Sequence, residues 1–97
     1  YPSPEKLFAL KVSGDSMIDA GILNKDWIVV LNKKEAEAGK IVVTKVKDET
    51  IISRLMKDRT GWYLRPDNTT HHIIRPESED GTFDIVGEVL AVQRIVE

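Results

Sequence analysis

Ser13-Gly14-Asp15-Ser16-Met17, directly after the apolar run Leu7-Phe8-Ala9-Leu10-Lys11-Val12, is the stretch on which the reading of this chain turns. The run reads as a strand. Gly14, two residues before Ser16, lets the backbone turn sharply where the strand ends. Such a turn exposes the Ser16 hydroxyl and aims neighbouring backbone N–H groups at one point. A reachable nucleophile and a place for an oxyanion are two needs of acyl chemistry. The same residue types also make ordinary loops, so the surrounding pattern has to decide.

Outward from the turn, residues 18–25 contain Gly21 and Asn24 and read as a turn or short irregular helix. Trp27-Ile28-Val29-Val30-Leu31 is a continuous apolar, β-branched run, the pattern of a buried strand. Lys33 to Gly39 reads as a charged, solvated connector with one helical turn. Ile41 to Val46 is a further strand, Lys47-Asp48-Glu49 a polar turn, and Thr50 to Met56 a strand with Ile51, Ser53 and Leu55 on one face. Asp58-Arg59-Thr60-Gly61 has hairpin-turn composition, Trp62 to Arg65 pairs back, and Pro66-Asp67-Asn68 ends that strand. His72 to Arg75 reads as an edge strand and Pro76 to Gly81 as a polar loop. Phe83 to Val96 is a long strand interrupted by Gly87, which suits a bulge. The fold class this implies is all-β, a small partly open barrel or sandwich. The Pro-rich start, residues 1–6, reads as a linker remnant, and residues 7–97 as one domain.

The bulk numbers narrow the function. With 97 residues there is room for one modest core. A formal net charge of −2 argues against a domain whose own surface grips nucleic acid. Trp27 and Trp62 read as core or interface aromatics, with no basic patch to make them base-stacking platforms. There is no cysteine, hence no disulfide and no thiolate metal site. The adjacent His71 and His72 would point to opposite faces of a strand, which disfavours a paired metal site. No cofactor is implied, and no apolar run approaches the length of a membrane helix. Asn68-Thr69-Thr70 is a formal glycosylation acceptor that carries little weight without a secretion signal.

Several blocks in order resemble the LexA/UmuD-like self-cleaving serine peptidases and related phage repressors. They are Lys11 to Met17, Asp19-Ala20-Gly21-Ile22, Asp26 with Trp27 to Leu31, Gly39-Lys40-Ile41-Val42-Val43, Asp48 to Leu55, Pro66-Asp67-Asn68 and Ile85-Val86-Gly87-Glu88-Val89. The resemblance covers roughly residues 7–95. It implies a cytoplasmic, usually dimeric β-rich domain that follows a DNA-binding domain or short arm. It also implies that Ser16 is the nucleophile and that the backbone N–H groups of Asp15 and Ser16 form the oxyanion site. The family's base is a lysine just before a basic-Leu pair; aligned without gaps, that position is Ser53.

Burial can lower a lysine's pKa enough for it to serve as a base near neutral pH. A serine hydroxyl has no comparable basicity. Lys57 shares the strand parity of position 53 but lies ~13 Å further along. Lys45 on the preceding strand reads as solvated, and His71 and His72 as exposed. Family members cut an Ala-Gly or Cys-Gly bond well upstream of the serine. Ala20-Gly21 and Ala38-Gly39 both follow it, so neither matches.

The expected function is therefore the dimerisation or oligomerisation domain of a LexA-like or phage-type repressor that keeps Ser16 without cleaving itself. Its partners would be further copies of itself, DNA through an N-terminal domain absent here, and a RecA filament or an antirepressor; no membrane is involved. The alternative is an active Ser/Lys peptidase or a UmuD-like polymerase accessory. A third reading keeps the groove as a docking site for an extended partner segment.

Overall fold

The computed structural model describes residues 6–75 and 83–94. The expected leader, apart from Lys6, the polar loop after Arg75 and the end of the last strand lie outside them. Among the described residues are six strands, β1 (Leu7–Lys11), β2 (Trp27–Leu31), β3 (Ile41–Val46), β4 (Glu49–Asp58), β5 (Gly61–Arg65) and β6 (Phe83–Gln93), with one 3-10 turn at Ile18–Ala20. They make a single open antiparallel sheet in the order β1-β2-β6-β3-β4-β5. Lys47 takes the left-handed conformation (φ 50°) in the tight β3–β4 connection. At the β4–β5 turn the Thr60 N–H donates to Asp58 Oδ1 at 2.9 Å, an Asx-type lock.

The sheet carries a core on each face. Val42 and Val43 are consecutive and therefore point to opposite sides. Val43 joins Val12, Met17, Ile22, Ile28, Val30 and Ile52, whereas Val42 joins Val46, Leu55 and Leu64. Ile51 and Leu55 lie with the second group, which agrees with the face expected for them. β6 lies at the centre and bends twice. Val86 is an extra residue between the partners of Val43 and Thr44, and Leu90 an extra residue between the partners of Val29 and Val30. The first bulge adjoins Gly87, where a Cβ would meet the Leu31 carbonyl oxygen at 2.4 Å and Val30 Cγ1 at 2.6 Å. Glycine is required there by close backbone approach.

Four local expectations differ from what forms. No helical turn lies between Lys33 and Gly39, where bends and turns carry the chain. β2 is not buried on both sides: Ile28 and Val30 are buried, while Trp27 is 37 % exposed with the Lys11 ammonium 6.0 Å from its ring. The segment from His72 to Arg75 is no strand; it contributes one bridge, Ile74 to Leu64. Since residues 71–73 are not extended in a ladder, His71 and His72 are not split between two faces, and both line one groove.

Candidate active site

β1 is paired with β2 along its length, and the pairing runs one step further through Val12 N–H to Asp26 O and Lys25 N–H to Val12 O, both 2.8 Å. There the chain must leave the sheet. Gly14 adopts φ +102°, a conformation that strains any residue with a Cβ, and its N–H donates to Asn24 Oδ1 at 2.9 Å. Met17, only 2 % exposed, plugs the turn into the first core, and the Ile18 N–H closes it onto Asp15 O at 3.2 Å. Burying a methionine side chain of this kind contributes about 1.5–3 kcal/mol. It anchors the residue next to the nucleophile position.

Between the buried Met17 and the exposed Asp15, Ser16 is half-buried. Its hydroxyl donates to the carbonyl of Ile52 at 2.9 Å, so it rests against the peptide that joins Ile52 to Ser53. That carbonyl is reachable because β5 pairs with β4 only from Arg54 onward, which leaves Glu49 to Ser53 with no strand on that side among the described residues. Ser53 pairs with Val42, is fully buried, and its Oγ is without a hydrogen-bond partner. Among the described residues the backbone N–H groups of Asp15 and Ser16 also have no partner. The carbonyl of Asp15, by contrast, takes a second bond from Asn68 Nδ2 at 2.8 Å.

The turn faces a groove of about 390 Å³ whose lining includes Ser13, Asp15, Ser16, Glu49, His71 and His72. A larger concavity of about 980 Å³, lined by Leu55, Trp62, Phe83 and Ile85 among others, holds none of the serine-turn residues. Neither suggested substitute lysine lines the groove. Lys57 sits with its ammonium 5.0 Å from the Trp62 ring, and Lys45 is exposed on β3 opposite Thr50.

Two features escaped the sequence reading. The first is a clamp. Arg54, the residue after Ser53, donates from Nη2 to Asp67 Oδ2 at 2.7 Å and from Nη1 to the Gly39 carbonyl at 2.7 Å. Asp67 in turn accepts the Asp19 N–H on its carbonyl at 2.8 Å and donates its own N–H to Met17 Sδ at 3.3 Å. The strand of position 53 and the serine turn are thus tied together through one residue, Asp67, by its carboxylate on one side and its main chain on the other. The Arg54 hydrogen bond, and secondarily its charge and that of Arg65, hold that carboxyl below the usual range against the cost of burial. The second is a pair: His71 Nε2 lies 2.8 Å from Asp15 Oδ1. Neither has a sequence signature, because both depend on the loop after β5 folding back over the turn.

Elsewhere, the Arg94 hydrogen bond and the Leu23 N–H depress Asp26, which is only 3 % exposed. Among the described residues no three His, Cys, Asp or Glu side chains come together as a metal site, and no helix is long and apolar enough to cross a membrane.

The sequence has relatives. The model of the Peptidase S24-like family matches residues 1–90. Over 96 residues the chain is 40 % identical to the LexA repressor of Bacillus subtilis, covering 98 % of the chain and 45 % of that relative. It is 38 % identical over 100 residues to the LexA repressor of Corynebacterium glutamicum, covering 97 % and 41 %. A third, the LexA repressor of Desulfitobacterium hafniense, is 40 % identical over 92 residues, covering 95 % and 43 %. The chain thus spans less than half the length of these relatives.

Proposed function

The chain belongs to the Peptidase S24-like family, and we propose that it is the C-terminal domain of a LexA-like repressor whose work is to join copies of the protein rather than to cut its own chain. The observation that carries this reading is position 53. A fully buried serine with an unpartnered hydroxyl stands where the resemblance to the family expects a lysine. A neutral hydroxyl does not take the proton of Ser16 usefully, and loss of a positioned base costs about 10²–10⁴ in rate.

Support for joining copies comes from β6. Its pairing with β3 ends at Glu88, so from Val89 to Gln93 it is paired only with β2 among the described residues. Along this half-open edge Leu90 is 49 % and Val92 41 % exposed. An edge with free backbone groups and apolar side chains is a template for a second strand. Antiparallel pairing of β6 with its copy would be isologous, as a two-fold dimer requires. Joining two DNA-binding domains in this way raises the effective concentration for the second half-site. Sedimentation of this domain at micromolar concentration tests the reading: dimers or larger species are expected, and a strict monomer overturns it.

The preserved turn, with Ser16 on a groove and unpartnered N–H groups beside it, favours self-cleavage as the second reading. Incubating the full-length protein at alkaline pH separates the two. Clean cutting that disappears in Ser16→Ala would establish the peptidase.

A further inference from the structure

We infer that Ser16 keeps a proton acceptor of a different kind, His71 held by Asp15, and that the groove is an acyl-transfer centre for small activated esters. The inference rests on reading Ser16 as the nucleophile position; it needs neither a lysine at position 53 nor an oligomer.

The groups that could take a proton are few. The titratable side chains facing the groove are Lys11 from β1, Asp15 from the turn, Glu49 from β4, and His71 and His72 from the loop after β5. Lys11 engages the face of Trp27. A carboxylate such as Glu49 is a weak acceptor for a hydroxyl proton. Of the two imidazoles, only His71 is fixed by a carboxylate, through the 2.8 Å contact of Nε2 with Asp15 Oδ1. That contact assigns the Nε2 proton to the carboxylate side and leaves Nδ1 as the acceptor. Asp15 also stabilises the imidazolium that forms when the proton arrives, the role a third group plays behind any nucleophile and base.

The loop is built to hold the ring there. His71 N–H donates to Asn68 O at 3.1 Å, and the Asn68 side chain donates to the carbonyl of Asp15 at 2.8 Å. Asp15 is joined to Ser16 by a single peptide bond, so the ring is tied to the residue beside the nucleophile. At rest Ser16 donates to the Ile52 carbonyl, an amide oxygen that cannot accept the proton. Rotation about χ1 into another staggered well turns Oγ into the groove, where Nδ1 receives its proton directly or through one water.

In the reaction the Oγ–H proton passes to His71 as Oγ bonds to the ester carbonyl carbon. The unpartnered N–H groups of Asp15 and Ser16 face the oxyanion. Collapse breaks the bond to the alkoxide, which takes the proton from the imidazolium. Water then repeats the sequence on the acyl-serine, releasing the carboxylic acid and restoring Ser16. The sum is ester plus water to acid plus alcohol.

Hydrolysis of p-nitrophenyl acetate and labelling by a fluorophosphonate, mapped by mass spectrometry, test this on the wild-type chain. The label should sit on Ser16 and vanish in Ser16→Ala. His71→Gln keeps an N–H for Asp15 but cannot take a proton. It should slow the reaction about 10²-fold. Equal rates for wild type and His71→Gln overturn the proposal. So does a folded protein unlabelled at Ser16 at any pH between 6 and 9. The oligomeric state, read separately by sedimentation, is indifferent to either result.

Discussion

The Ser16 hydroxyl and the Ile52 carbonyl oxygen are 2.9 Å apart, although 36 residues separate them in the chain. The contact sets Ser16 against the backbone of the residue before Ser53. It depends on two things: a turn that leaves the β1 edge at a left-handed Gly14, and a β4 that extends beyond its partner β5. On the proposed reading this is the scaffold of a serine–base site, with position 53 the next residue along β4, opposite Val42.

Replacing Ser53 should expose that scaffold. In Ser53→Lys, burial disfavours the charged ammonium and drives the lysine toward the neutral form that can act as a base. Self-cleavage of the full-length protein, followed on gels, should accelerate at least about 10²-fold, rise with pH, and vanish in the double variant with Ser16→Ala. Unchanged cleavage in a folded Ser53→Lys protein would mean that position 53 does not face Ser16. The companion Ser53→Ala removes a buried hydroxyl that has no partner. It should stabilise the domain by about 1 kcal/mol, or raise the melting temperature by roughly 4–8 °C.

Much of this was legible in the sequence, for identifiable reasons. The strands were, because β-branched runs such as Ile41 to Val46 are bounded by residues with turn chemistry. The family was too, because blocks such as Lys11 to Met17 and Asp48 to Leu55 stand in the family's order. The exposure of Trp27 was not: a continuous apolar run does not reveal that one face of β2 is open to water. The loop over 66–74 was not either. Its shape is fixed by Asn68 and His71 reaching Asp15, and by Arg54 reaching Asp67, contacts between positions that no short-range pattern connects.

The Arg54–Asp67 clamp should make the domain sensitive to acid. A carboxyl depressed on folding contributes stability that is complete above its unfolded value, near ~3.9, and is lost as pH falls through its folded value. Asp67 and Asp26 are both held low, chiefly by hydrogen bonds from Arg54 and Arg94. Urea melts should show constant stability from neutral pH down to roughly pH 4–5 and a decline below it. Asp67→Asn should cost about 1–2 kcal/mol at pH 7, allowing for solvent screening, and shrink the decline. An acid profile identical to wild type would remove Asp67 from this account.

Gly87 should tolerate no side chain. A methyl group there would lie 2.4 Å from the Leu31 carbonyl oxygen, and a backbone atom in mid-sheet cannot step aside as a side-chain tip can. Gly87→Ala should destabilise the domain by about 1–3 kcal/mol or more through overpacking. The loss would appear in denaturant titration, with the β2–β6 amides first to lose hydrogen-exchange protection. Wild-type stability would show that β2 and β6 can separate without cost.

The outer half of β6 carries the last prediction. Leu90 is the bulged residue and Val92 lies opposite Ile28, and both are exposed where β3 no longer covers the strand. If a second copy pairs there, a charge at either position is buried in the dimer but solvated in the monomer. The penalty then falls on association alone. Leu90→Lys should raise the dimer dissociation constant by about tenfold or more, equivalent to about 1.4 kcal/mol, with little change in monomer stability. Val92→Lys should weaken association too, with some loss of folding stability because Val92 borders the first core through Ile28. Sedimentation at several concentrations separates the two effects. Association undisturbed by both substitutions would place the interface on another face of the sheet.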